Sequence, residues 1–475
     1  MQHPIKQYLV LRRSLIAALC AAMVVPTAAA ESIDEFVRSQ MTSRQLPGLS
    51  LAVVRNGRIV KSQGYGVASL ELRAPATADT VYEIGSISKQ FTANAILLLA
   101  EDGKLQLDDP ISKYIDGTPP EWSAITIRRI LTHTAGLADF DTGNIGFSYR
   151  REYTPAEFVA LMAGQPLAFP PGDRWAYTNA FPLLGMVVER ASGVPYTSFV
   201  ENRIFKYLGL GSARFKTAGE VVPGRADGYM LVNGEFRHGE TLRPGVIAAN
   251  GGIMMNVVDF ARWDIALTSG RLLRPESVTA MTRPVRLNDG RTVGHGLGWF
   301  MDQFNGHPFG AHWGTTVTGH SAVIRRYGND GVTVIVMSNL NDDGVGVDAI
   351  SKRVADRYVP GVDIHGVRPA ADQKRPEWLR IRQILESVAA GKETDQAPGL
   401  AARLPVPVRE RIAKTLRTLT AVDYLGEETV GASHFNLDPA VVMLRRYRAA
   451  TPDGMRYLTV RLSDRATLMG ALIED

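Results

Sequence analysis

A single serine in the 475-residue chain has a lysine three positions after it: Ser86, in the stretch Glu83-Ile84-Gly85-Ser86-Ile87-Ser88-Lys89-Gln90-Phe91-Thr92. Residues 90–101 are rich in Ala, Leu and Ile and contain no proline, which predicts a buried helix with Ser86 in its first turn. Side chains three apart on a helix share a face. A hydroxyl and an amine held there can serve as nucleophile and base, provided burial lowers the lysine pKa enough to leave a neutral fraction. Taken alone, the tetrapeptide is more often a helix start with a solvated lysine, so the decision falls on other residues.

Two further stretches carry residue types that would complete such a site. In residues 169–179 a Pro-Pro-Gly loop delivers Tyr177-x-Asn179 immediately before an expected helix, and loops of this kind position functional side chains. A tyrosine near a lysine can have its pKa lowered and shuttle a proton between nucleophile and leaving group. An amide two residues on can hydrogen-bond substrate and lysine together. Tyr327-x-Asn329 repeats the pattern in a hairpin turn, and context separates the two. The third stretch is His312-Trp313-Gly314-Thr315, expected just ahead of a strand beginning near Ser321. A strand beside a cleft can dock an extended substrate, and glycine permits close backbone approach. The backbone N–H groups of Thr315 and Ser86 would make an oxyanion hole. As a lone His-x-Gly the stretch carries little, and a surface histidine is the ordinary reading.

The elements that must hold these residues can be traced along the chain. Residues 49–70 read as two strands turned at Asn56-Gly57. From Ser86 to about Arg283 the apolar spacing is mostly helical, as over 154–162, 181–191 and 257–267; strands return after Gly294, over 296–303, 321–326 and 332–339. The fold class is therefore α/β in the broad sense, more strictly α+β. It is an antiparallel sheet with flanking helices, supplied by both ends of a main domain over 31–360, plus a helical lobe and a cleft between them. Residues 361–376, charged and Pro-containing, read as a linker. Beyond it, expected helices over 377–390 and 407–419 and strands over 441–447 and 455–462 make a small α+β domain, 377–475. It lacks a cluster of catalytic residue types and reads as a structural or docking module.

Composition narrows the function classes. Lys6, Arg12 and Arg13, an apolar run over 15–25 and Thr27-Ala28-Ala29-Ala30 predict a cleaved secretory leader over 1–30, a mature start at Glu31 and a periplasmic or secreted location. That run is too short for a membrane span and no later one reaches about 18 apolar residues, so no stable anchor is expected. The one cysteine, Cys20, lies in the leader, which leaves the mature chain without disulfide, thiol nucleophile or thiolate metal site. The net charge of +5 falls to +2 once the leader's three cations are removed. That balance argues against a nucleic-acid partner, which would want a concentrated basic face.

Taken in order, Ser86-x-x-Lys89, Tyr177-x-Asn179 and His312-x-Gly314 resemble the three active-site elements of the class C β-lactamase-like serine hydrolases, a group that includes D-aminopeptidases, DD-peptidases and esterases. The resemblance spans about residues 31–360 and includes Leu131-Thr132-His133-Thr134-Ala135-Gly136-Leu137, Leu184-Gly185-Met186-Val187-Val188-Glu189 and Ala249-Asn250-Gly251-Gly252-Ile253-Met254. It implies a serine β-lactamase/DD-peptidase-like fold and a hydrolase that forms an acyl-enzyme on a peptide, amide or ester, with no metal and no cofactor. Ser86 would attack, Lys89 accept its proton, Tyr177 relay it and Asn179 orient. His312 would contact substrate or leaving group beside Gly314 and Thr315, and His133 would be scaffold near the cleft. Lactamases and carboxypeptidases of this group usually carry Lys-Thr-Gly where this chain has His312-Trp313-Gly314, and the missing cation would have paired with a substrate carboxylate. No deacylating glutamate is evident, so deacylation would fall to Tyr177 and Lys89. The alternatives are a β-lactamase or DD-carboxypeptidase, or a non-catalytic binding protein keeping the same cleft. Which of Lys89 and Tyr177 is the principal base, the natural small-molecule or peptide substrate, and the oligomeric state stay open at this point.

Overall fold

The structure is a computed structural model that describes residues 31–141, 145–217, 219–240, 245–431, 434–435 and 438–474; the expected leader over 1–30 lies outside the described residues. Helix α1 (Ile33–Arg44) starts at a capping box in which Ser32 and Glu35 satisfy each other's backbone N–H groups. Strands β1 (Gly48–Arg55) and β2 (Arg58–Gly66) turn at Asn56 and Gly57, both at positive φ, as the Asn-Gly signal requires. Then come α2 (Ser88–Glu101), α3 (Pro155–Ala163), α4 (Phe181–Ser192) and α5 (Val257–Thr268). The chain returns to the sheet through β3 (Phe300–Phe304), β4 (His307–Thr316), β5 (His320–Tyr327) and β6 (Val332–Ser338), and α6 (Val345–Asp356) closes this part.

These six strands form one sheet in the order β3-β4-β5-β6-β1-β2, its ladders all antiparallel. The two ends of the main domain meet where β1 pairs with β6, Leu51 opposite Val336. The period of two sorts β1 onto two cores. Leu51 and Val53 pack with Phe36, Val347 and Ile350 of α1 and α6, while Ala52 and Val54 join the core of the helical lobe with Phe91, Leu184 and Phe260.

Two features differ from the sequence reading. His312–Thr315 was expected ahead of a strand and lies inside β4, because Pro308, Gly310 and Gly314 break the alternation that would reveal one. The strand expected over 296–303 is confined to Phe300–Phe304, since Gly298, at φ +77, turns the chain before it.

The C-terminal part comprises α7 (Arg375–Ala389), α8 (Val406–Thr418) and the meander β7 (Ala421–Thr429), β8 (Met443–Thr451), β9 (Gly454–Leu462) and β10 (Leu468–Glu474). It has its own core, with Trp378, Leu385, Ile412, Tyr447 and Val460. Residues 361–364, the start of the expected linker, are buried. Glu428 of β7 grips the tip of the β3–β4 hairpin, accepting from Asn305 N at 3.0 Å, Gly306 N at 3.1 Å and Gln303 Nε2 at 2.9 Å. Arg446 pairs with it at 2.8 Å and lies 4.2 Å over the Phe304 ring. The C-terminal sheet is thereby tied to the hairpin whose second strand carries His312. Among the described residues no helix is long and apolar enough to cross a membrane.

Candidate active site

Every residue over 81–99 is buried except Ser86. Ser86 sits in a 3₁₀ turn, Gly85–Ile87, that leads into α2. Two glycines press this turn against β4. Gly85 has φ +51, and a Cβ there would fall 2.5 Å from Thr315 O; at Gly314 a Cβ would fall 1.9 Å from Ile84 O. Pairing of β3 with β4 stops at Phe300–Ala311, so residues 312–316 are paired on the β5 side alone and Thr315 is exposed. A strand with one open edge thus runs beside the serine.

Lys89 is fully buried, with Nζ 3.0 Å from Ser86 Oγ, 3.0 Å from Asn179 Oδ1 and 3.4 Å from the Asn250 carbonyl oxygen. Desolvation brings its pKa from 10.5 down to about 7, against the opposing pull of the Asp139 and Asp141 carboxylates. Its amine also lies 5.0 Å from the Tyr177 ring centroid. The Asn179 amide is oriented by three partners: Oδ1 accepts from Lys89 and, at 3.1 Å, from Asn250 Nδ2, while Nδ2 donates to Asp139 at 3.2 Å.

Tyr177 differs from expectation in one respect. Burial pushes its phenol well above the usual range, only partly offset by a hydrogen-bonding contact with Ser86, so at neutral pH it keeps its proton. A lowered pKa was expected from a nearby lysine; burial outweighs any such effect, and the Asp139 and Asp141 carboxylates push the phenol in the same upward direction. His133 brackets the Tyr177 loop, its carbonyl accepting from Ala176 N at 3.0 Å and its Nδ1 from Thr178 N at 3.2 Å, with the rings 4.5 Å apart. The competing tyrosine, Tyr327, is fully buried in the core beneath α1 and α6, its ring 5.5 Å from Phe309.

His312 is buried, and desolvation, reinforced by the Lys89 charge, takes its pKa down to about 3. Its Nδ1 lies 2.6 Å from the Trp313 carbonyl oxygen, which only accepts, so Nδ1 carries the proton and Nε2 presents a lone pair. Nε2 has no protein partner among the described residues.

The structure brings Ser86, Lys89, Tyr177, Asn179, His312, Gly314 and Thr315 to one place. Asp139, Asn250, Phe300 and Trp175 belong to it as well and escaped the sequence reading. Asn250 stood inside a run already singled out but without a side-chain role. Asp139 and Phe300 have no local signal, because their partners lie 40 residues away and 123 residues away in Asn179 and Tyr177.

An antiparallel sheet with a helical lobe holds a partly exposed serine beside a buried lysine whose pKa is brought down to about 7. The chain belongs to the Beta-lactamase family, whose model matches residues 33–357. It is 28% identical over 355 residues to a penicillin-binding protein of Bacillus subtilis (strain 168), covering 70% of this chain and 76% of that protein. A D-stereospecific amidohydrolase from Streptomyces sp. is similar at 26% identity and TM-score 0.57, covering 67% of this chain and 98% of that one. The octameric penicillin-binding protein homologue from Pyrococcus abyssi shares the fold over 93% of this chain and 94% of its own, with TM-score 0.61 at 22% identity.

Proposed function

We propose that the protein is a periplasmic or secreted serine hydrolase that forms an acyl-enzyme on an uncharged ester, amide or peptide bond. The observation that carries this reading is the buried Lys89 amine, 3.0 Å from Ser86 Oγ, with its pKa brought to about 7. A substantial neutral fraction is then available to take the serine proton, which an ordinary lysine lacks. Ser86 Oγ adds to the carbonyl carbon as its proton passes to Lys89, and the oxyanion is held by the N–H groups of Ser86 and Thr315. As the carbonyl re-forms, the bond to the leaving nitrogen or oxygen breaks. Tyr177, protonated and in contact with Ser86, hands its proton to the leaving group and is re-protonated by the proton held on Lys89. Water repeats the path in reverse and frees the acid. His312, neutral, offers a hydrogen-bond acceptor where a lysine would hold a carboxylate, which favours substrates without one.

Turnover of p-nitrophenyl esters by the wild type and its loss in Ser86→Ala tests this reading. Equal turnover in both contradicts it, and a chain that binds ligands without Ser86-dependent turnover is a binding protein. For the leader and module boundaries, N-terminal sequencing of exported protein should find Glu31, and limited proteolysis should cut within 361–376.

A further inference from the structure

The C-terminal sheet domain reaches the candidate active site through the connection between β7 and β8. Phe435, in that connection, lies 5.1 Å from the Phe300 ring and 5.0 Å from the Trp175 ring, both close to edge-on. Phe300 in turn stacks on Tyr177 at 6.0 Å and 21°, and stands 5.4 Å from His312. Trp175 precedes Tyr177 by two residues in the same loop. Trp175, Phe300 and Phe435 are each partly exposed, so they form an aromatic wall with its surface incompletely covered by protein.

The position of Phe435 is set by the main domain as well as by its own. Its backbone N–H donates to Asp302 Oδ1 at 3.2 Å, an oxygen that also accepts from Gln303 N at 2.8 Å. Beside it the main chains nearly touch: a Cβ at Gly294 would fall 2.7 Å from the His434 carbonyl oxygen. Only glycine permits that approach, so the contact is built into the backbone of both parts.

We infer that Phe435 completes, with Phe300 and Trp175, an apolar subsite for the leaving group, and that this chain prefers substrates whose departing alcohol or amine carries an aromatic or bulky apolar group. The inference rests on the serine-hydrolase reading above. There Tyr177 hands its proton to the leaving group, so the rings stacked behind Tyr177 and His312 border that group and not the acyl part. Part-exposed aromatic rings gathered beside convergent polar groups are the usual lining of a small-molecule site, and contact with such a wall is worth roughly ten- to a hundredfold in selectivity. The C-terminal domain then contributes to specificity directly, through one side chain.

The test compares kcat/KM for the benzyl and methyl esters of alanine, in both enantiomers, whose alcohols leave with nearly equal intrinsic ease. The wild type should favour the benzyl ester roughly tenfold or more. Phe435→Ala should remove most of that preference by slowing the benzyl ester, with the methyl ester unchanged within about twofold, and Phe435→Leu, which keeps an apolar contact, should retain part of it. A wild type without benzyl preference, or a Phe435→Ala variant that slows both esters equally or neither, overturns the subsite while leaving the serine-hydrolase reading standing. If neither ester is turned over in a Ser86-dependent way, that reading falls and the subsite with it.

Discussion

The Asp139 carboxylate accepts the Asn179 Nδ2–H at 3.2 Å, and this fixes which end of the amide faces Lys89. Asn250 Nδ2, which donates to Asn179 Oδ1 at 3.1 Å, supports the same orientation from the other end of the amide. Asp139 is also the first of the charges that hold the Lys89 pKa up. Asp139→Asn, which removes the charge but keeps an accepting oxygen, should therefore move the rising limb of kcat/KM against pH toward lower pH, and Asp139→Ala, which removes the acceptor as well, should also lower the plateau rate. An unmoved limb at full rate in both variants would show that Asp139 neither orients nor charges the site.

Lys89 makes two linked predictions of sign. As a base it works in the neutral form, so kcat/KM should rise with pH through about 7 and then level, and Lys89→Met should lose roughly 10²- to 10⁴-fold. Its folded pKa of about 7 lies below the ordinary 10.5, so between these values the unfolded chain binds more protons and stability rises with pH. The burial penalty is greatest below about pH 7 and fades toward 10.5. The melting temperature of Lys89→Met relative to wild type should consequently improve as pH falls through that window. A difference independent of pH would place a normal, solvated lysine at this position.

The two tyrosines separate cleanly. Tyr177→Phe removes the hydroxyl in contact with Ser86 and should cut turnover by roughly 10²-fold or more with little change in melting temperature. Tyr327→Phe removes a hydroxyl whose acceptor, Val362 O, is 3.5 Å away, and should be nearly silent. Comparable losses in both variants would break the assignment of the proton relay.

His312 stays neutral over the working range, because burial takes its pKa to about 3. A charge-assisted bond to a carboxylate, worth about 1.5–3 kcal/mol, is then missing at pH 6 as much as at pH 8. Uncharged esters and amides should outperform penicillins and D-alanyl-D-alanine peptides in kcat/KM at both values, by roughly ten- to a hundredfold. His312→Lys should narrow the gap. A penicillin hydrolysed faster than every uncharged substrate would replace this reading with that of a lactamase.

What the sequence disclosed followed the reach of its local signals. The Asn56-Gly57 turn fixed the β1–β2 hairpin, and the proline-free apolar run located α2 with Ser86 at its entrance. β4 escaped because its residues, His-Pro-Phe-Gly-Ala-His-Trp-Gly-Thr-Thr, alternate in neither polarity nor size. They form a strand because β3 pairs with the first half of β4, up to Ala311, and β5 with its second, from Gly310 onward, which is tertiary information. The same holds for Asp139 and Phe435, each meaningful only through a partner far away in the chain. Tyr177 was located but its electrostatics were inverted, since burial depth rather than proximity to a lysine sets its pKa. The aromatic wall across the two parts of the molecule is the extreme case: no window of sequence contains it.

The central claim is that Ser86, activated by Lys89, is the nucleophile, and fluorophosphonate labelling tests it most directly. Intact mass and peptide mapping should find one adduct, on the peptide containing Ser86, with a labelling rate that rises through about pH 7 and collapses in Lys89→Met. Labelling that persists in Ser86→Ala, or that maps to any other residue, would contradict the account.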